Sequence, residues 1–195
     1  MSTTKNYYQE NSQDFFSSTV SADVSELYDH FLKYVPEKGT ILDFGCGSGR
    51  DTKAFLDRGF KAEAIDGSEE LCKLASEFTG TTVRCMDFID FDSKDRYDAV
   101  WACASLLHVS STDLPIILTK LKEALHTGGV MYLSFKYGEF EGERNGRFFL
   151  DMTEATFRKT LDQVPGLSIV EEWTSEDARP DRDDLWYDAI LKRTP

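Results

Sequence analysis

Apolar positions along this chain alternate between two periods. Val24, Leu27, Tyr28, Phe31, Leu32 and Val35 recur at helical spacing, and Pro36 closes the run. Residues 40–44 then form a short apolar stretch that runs directly into a glycine cluster. The pattern repeats: helix over 50–58 with Gly59 as its stop, and strand over 60–65. Next comes a helix capped by Ser68, with Leu71, Leu74, Ala75 and Phe78 on one face and Gly80 at its end. Strands are predicted over 82–85 and 97–102. The helix over 113–126 shows the cleanest apolar face (Leu114, Ile117, Leu118, Leu121, Leu125), with Pro115 in its first turn and Gly128-Gly129 as its stop. A strand over 130–135, a helix over 153–164 stopped by Pro165-Gly166, and strands over 167–173 and 185–192 complete the chain.

Short apolar strands alternating with amphipathic helices imply βαβ units and a sheet covered on both faces. The expected fold is one doubly wound, Rossmann-like, mostly parallel sheet of about seven strands with an N-terminal helical lid. No helix separates the last two strands, so they should pair as a hairpin and leave the last strand antiparallel. Residues 1–195 read as a single domain: lid and helix over 1–36, ligand-binding core over 37–135, and an acceptor-side loop with the C-terminal strands over 136–195. The acidic run at 176–184 reads as a solvated loop.

Composition narrows the function. Hydrophobic residues at 41% supply ample core, which excludes a disordered chain. A net charge of -13 opposes binding to phosphate backbones and anionic membrane surfaces, leaving a small molecule as the default partner. No apolar stretch is long enough to span a bilayer, and the polar, tyrosine-bearing opening lacks a leader pattern, so a cytoplasmic location is expected. Cys46, Cys72, Cys85 and Cys103 stand apart, without C-x-x-C or zinc spacing. They read as reduced thiols in buried elements and tight turns, with no metal site. Nothing in the pattern fixes the oligomeric state.

The informative segment is Asp43-Phe44-Gly45-Cys46-Gly47-Ser48-Gly49-Arg50, a glycine loop between a strand and a helix. Asp66 closes the next strand, where an acid hydrogen-bonds a ribose diol. Two ligands compete. A dinucleotide prefers a small residue at the third place of G-x-G-x-x-G, where this chain has Arg50, and Asp43 would set a carboxylate near a pyrophosphate. An adenosyl sulfonium carries an ammonium group and no phosphate, which turns Asp43 into an asset.

These segments resemble class I S-adenosylmethionine-dependent methyltransferases. Residues 41–49 are similar to the family's first motif, and Ala64-Ile65-Asp66-Gly67-Ser68 to its second, whose acid holds the ribose. Cys85-Met86-Asp87-Phe88 resembles the third, where the acid and the residue before it meet the adenine. Residues 97–102 resemble the fourth strand, whose end at Ala102 faces the methionine part. The resemblance thus implies S-adenosylmethionine as methyl donor, with S-adenosylhomocysteine as product. It assigns the donor site to Asp43, Gly45, Cys46, Gly47, Gly49, Asp66, Gly67, Ser68, Met86, Asp87, Phe88 and Ala102. It also implies in-line transfer to a small-molecule acceptor, and a leading tyrosine, Tyr7, in a lid over the donor. The small size and Ala104-Ser105-Leu106-Leu107-His108 look most like the uncharacterised, tellurite-resistance-like branch.

On the acceptor side, His108 lies beyond the fourth strand. It is either a base for an attacking hydroxyl or amine or a side chain that orders its loop through a backbone carbonyl. Tyr8 and the cations Lys136, Arg144 and Arg147 border the same region and suit an anionic acceptor. Two alternatives stay open: a nicotinamide-dependent oxidoreductase, and a donor-binding module without chemistry.

Overall fold

The computed structural model describes residues 3–179 and 182–195. Three short helices open the chain: α1 (Thr3–Glu10), α2 (Ser12–Thr19) and α3 (Ser25–Leu32). The alternating core follows as β1 (Thr40–Phe44), α4 (Arg50–Asp57), β2 (Lys61–Asp66), α5 (Glu69–Thr79), β3 (Val83–Cys85), β4 (Tyr97–Ala102), α6 (Leu114–Ala124) and β5 (Leu125–Lys136). A hairpin of β6 (Glu141–Arg144) and β7 (Arg147–Leu150), then α7 (Glu154–Leu161), β8 (Leu167–Glu176) and β9 (Leu185–Arg193), complete it.

The main sheet has seven strands in the order β3-β2-β1-β4-β5-β9-β8. β1 to β5 pair in parallel, and β9 runs antiparallel to both of its neighbours, as expected. Strand alternation then sorts the core. Leu42, Phe44, Val100, Ala102, Met131 and Leu133 face the layer built on α6 and α7. Ile41, Ala99, Trp101, Val130 and Tyr132 face α3 and α4, where Tyr28, Phe31 and Phe55 pack. Strand order reverses between β1 and β4, so their carboxyl ends open a crevice at the switch point.

Local signals set several boundaries. Ser68 caps α5 by accepting from Leu71 N–H, and Gly80 closes that helix at φ 73°. Thr153 and Thr156 cap α7 reciprocally.

Three expectations need correction. α6 ends at Ala124, before the glycine pair, because Asp95 and Arg96 N–H donate to the carbonyls of Glu123 and Ala124 at 2.9 and 2.8 Å. Leu125 is then extended and pairs with Tyr97 in β4. Residues 136–150, expected as a loop, carry the β6–β7 hairpin. Its two-residue turn, Asn145-Gly146, sits at φ 52° and 74°, the left-handed pair of a type I′ turn. Cys85 is exposed rather than buried.

Candidate active site

The glycine loop leaves β1 at the switch point in a left-handed course, with φ of 87° at Gly45 and 54° at Gly47. Gly45 and Cys46 N–H both donate to Ile65 O at 3.0 Å, tying the loop to β2. A Cβ on Gly45 would lie 2.4 Å from Ser105 Cβ. Ser105 Oγ itself donates to Phe44 O at 2.6 Å, so the loop is clamped between two strand ends.

Asp66 ends β2 beside this loop. Its carboxylate accepts Gly47 N–H and Ser68 N–H, each at 2.9 Å. Burial nevertheless raises its pKa, with those backbone donors opposing. Asp66, Gly67, Asp87 and Phe88 line a cleft of about 370 Å³. The Phe88 ring packs 4.5 Å from that of Phe44 and forms one wall.

The N-terminal helices lie over this cleft. Lys5 pairs with Asp87 at 2.8 Å, Gln9 Oε1 accepts from Ser68 Oγ at 3.1 Å, and Thr4 Oγ1 accepts from Phe148 N–H at 2.9 Å. Phe15 covers the loop: a Cβ on Gly47 would lie 3.0 Å from its ring. A second, larger cleft of about 890 Å³ is bordered by Tyr7, Cys46, Lys136, Arg147, Trp173 and Trp186. Tyr8, Phe15, Gly45, Gly47, Ala104 and His108 line both clefts and mark where they meet.

At that junction one polar chain is fully determined. His108 Nδ1 is 2.6 Å from Phe148 O, an acceptor only, so Nδ1 carries the hydrogen. Nε2 therefore accepts from the Tyr8 hydroxyl at 2.8 Å, and Tyr8 Oη accepts from Arg147 at 3.3 Å. Burial drives the His108 pKa down to about 4, and Arg147 and Arg144 push the same way. The ring is neutral, and both its nitrogens are engaged.

Five residues expected to face a ligand lie elsewhere. Strand parity puts Asp43 on the α4 side of β1, 1% exposed, accepting from Thr52 Oγ1 at 2.5 Å. Burial raises its pKa, whereas that of neighbouring Asp51 is lowered, because the Arg50 guanidinium and the Tyr28 and Trp101 donors together overcome burial. Asp43 thus supports the loop from beneath and lines neither cleft. Gly49 is a packing glycine, since its Cβ would lie 2.8 Å from Thr79 Cγ2 and 3.1 Å from Ala75 Cβ. Met86 packs against the core and Ala102 is fully buried within it. Arg144 is engaged with Asp151 by two hydrogen bonds and lies outside both clefts.

Phe15, Ala104, Trp173 and Trp186 were missing from the expected site. Ala104 carries no sequence signal for its φ of 51°. The two tryptophans on the C-terminal strands read simply as apolar strand positions.

Comparison with known proteins places this geometry. A sequence profile of the methyltransferase domain matches residues 16–160. An uncharacterised methyltransferase of Geobacillus thermodenitrificans is 28% identical over 74% of this chain and 74% of that one. A S-adenosylmethionine-dependent methyltransferase of Methanosarcina mazei superposes with a TM-score of 0.76 at 17% identity, over 86% of this chain and 98% of the other. A 1,6-didemethyltoxoflavin-N1-methyltransferase of Burkholderia thailandensis, crystallised with that compound and S-adenosylhomocysteine, reaches 0.76 at 19% identity, over 97% and 85%. These structures share the fold, and none of the four matches bears on the tellurite-resistance-like branch. With a profile match over well more than half of its length, the chain belongs to the methyltransferase domain family.

Proposed function

We propose that this protein transfers a methyl group from S-adenosylmethionine to a small-molecule acceptor in the cytoplasm. The observation that carries the reading is Asp66: a half-buried carboxylate, held by two backbone N–H groups, with lone pairs still available in the narrower cleft. A ribose diol is a fitting pair of donors for such a carboxylate.

The neighbouring residues fit the same ligand. Gly45 and Gly47 both line the narrower cleft, and Gly67 leaves space beside Asp87 Oδ1, 3.8 Å from where a Cβ would stand. Phe88 offers a flat apolar wall to a base. An acid at Asp66 would serve a dinucleotide's ribose equally and Asp87 is paired with Lys5, so it is the methyltransferase-domain match that disfavours the nicotinamide alternative. Cys46 borders the larger cleft, on the methionine side of this arrangement. Asp43 contributes by holding α4 and the loop together rather than by touching an ammonium group.

When bound, S-adenosylmethionine supplies a methyl group already activated by its sulfonium. The chain's own task is then alignment and exclusion of water. Tyr7, Tyr8 and Phe15 close the lid side, and Gly45 and Ser105 fix the floor. Tyr8, not His108, presents its oxygen where the clefts meet. His108 is a positioning residue that accepts the Tyr8 proton and fixes the direction of the hydroxyl.

Titration calorimetry tests the donor assignment. S-Adenosylhomocysteine should bind in the micromolar range or tighter and NAD should give no heat; the reverse result would sink it. Screening acceptor mixtures for release of S-adenosylhomocysteine separates an enzyme from a binding module.

A further inference from the structure

We infer that Arg147 is the anion-recognition point of the larger cleft and that the acceptor is a planar aromatic acid, an inference that rests on the methyl-transfer reading. The cations along this cleft are not equivalent. Arg50 is paired with Asp51 at 2.6 Å, Lys136 with Asp184 at 2.5 Å and Arg179 with Asp177 at 2.7 Å. Arg182 is exposed to water at the rim. Arg147 has no carboxylate partner among the described residues. It gives one long hydrogen bond to Tyr8 Oη, and its Nε is buried with no acceptor.

A buried N–H of a cation without an acceptor is costly. The cost stands out here because acids are abundant, with a net charge of -13 and Asp14, Asp23 and Glu26 bordering the same cleft. None of them is directed at Arg147. The rings of Tyr7, Phe149 and Tyr8 surround the guanidinium instead, with centroids 4.6, 5.0 and 5.8 Å away. Such a cage holds the cation in place on the wall of the larger cleft, where Arg147 stays partly exposed to a planar anion. Trp173 and Trp186 add flat apolar wall to a space of about 890 Å³, ample for an aromatic acceptor.

The anion could also be the methionyl carboxylate of the donor. Cys46, on the methionine side, borders the same larger cleft as Arg147, so the acceptor is favoured instead by the flat apolar walls of Trp173 and Trp186 there, and the 5′-methylthioadenosine comparison below separates the two anions.

The test uses a matched pair of probes, 2-naphthoate and 2-naphthamide, titrated into the intact protein with and without saturating S-adenosylhomocysteine. Binding is read by calorimetry and by tryptophan fluorescence. Naphthoate should bind the wild type at least tenfold more tightly than naphthamide. Arg147→Gln should reduce that preference to within about twofold, and Arg147→Lys should retain part of it. Both variants should keep S-adenosylhomocysteine affinity within about threefold and unfold at the wild-type temperature. Equal binding of the two probes, binding of neither, or a preference that survives Arg147→Gln would overturn the inference. So would a tenfold loss of S-adenosylhomocysteine affinity in Arg147→Gln with 5′-methylthioadenosine unaffected, because that assigns the guanidinium to the donor. If S-adenosylhomocysteine fails to bind the wild type, the donor reading falls, and the naphthoate preference without it judges Arg147 separately.

Discussion

The Tyr8 hydroxyl donates to His108 Nε2 at 2.8 Å, joining residues a hundred positions apart. Because Phe148 O takes the hydrogen on Nδ1, one tautomer is selected and the ring stays neutral. The contact also locks α1 to the turn after β4 and to the β6–β7 hairpin. The N-terminal helices and both clefts therefore share one hydrogen-bond chain.

The neutral ring has a pH signature. His108 titrates near 6.5 when unfolded and at about 4 when folded, so the unfolded chain binds the extra proton between those values. Its contribution to stability is complete above about pH 6.5 and is lost as pH falls toward 4, on the order of 3 kcal/mol in total. Denaturant titrations of wild type and His108→Gln from pH 7.5 to 4 should show the stability difference shrinking across that window. A difference that stays constant with pH would refute the half-buried neutral histidine.

Asp66→Ala should weaken S-adenosylhomocysteine binding roughly 30- to 1000-fold, because charge-assisted hydrogen bonds to the ligand are worth about 2–4 kcal/mol. Asp90→Ala is the matched control: Asp90 is exposed and away from both clefts, and affinity should change less than about threefold. Equal affinities by calorimetry would move the donor site elsewhere. The Asp66 variant should also lose about 1–3 kcal/mol of stability, since Gly47 and Ser68 N–H lose their acceptor.

Two glycines separate strain from collision. Gly45 and Gly59 have nearly the same φ, 87° and 85°. A Cβ at Gly45 meets Ser105 at 2.4 Å, whereas one at Gly59 has nothing within 4 Å. Gly59→Ala should cost about 1 kcal/mol and Gly45→Ala roughly 2–5 kcal/mol. Thermal unfolding of both variants measures the gap, and equal melting temperatures would show that the loop is not clamped.

Phe15 tests the lid. Its ring covers Gly47 and lies edge-on to Tyr8 at 4.9 Å, yet it is only partly buried and belongs to none of the core clusters. Phe15→Ala should leave the melting temperature nearly unchanged and speed S-adenosylhomocysteine release about tenfold in stopped-flow displacement. An unchanged release rate would mean that α2 does not retain the donor.

The sequence by itself determined the frame, because its signals are local. Alternating periods placed the helices and seven sheet strands, Ser68 and Gly80 bounded α5, and the glycine loop with Asp66 located the narrower cleft. Two further features are legible in the sequence as well. Parity along β1 puts Asp43 on the same face as Ile41, toward α4, and Asn145-Gly146 between apolar residues marks a hairpin. Tertiary structure alone decided the rest. No local pattern tells that α6 stops at Ala124, because the donors to its last carbonyls come from Asp95 and Arg96. Nor can spacing distinguish Arg147 from Lys136 and Arg144. Which cation is neutralised depends on where Asp184 and Asp151 arrive, and charge pairing is settled by distances in the folded chain rather than by order along it.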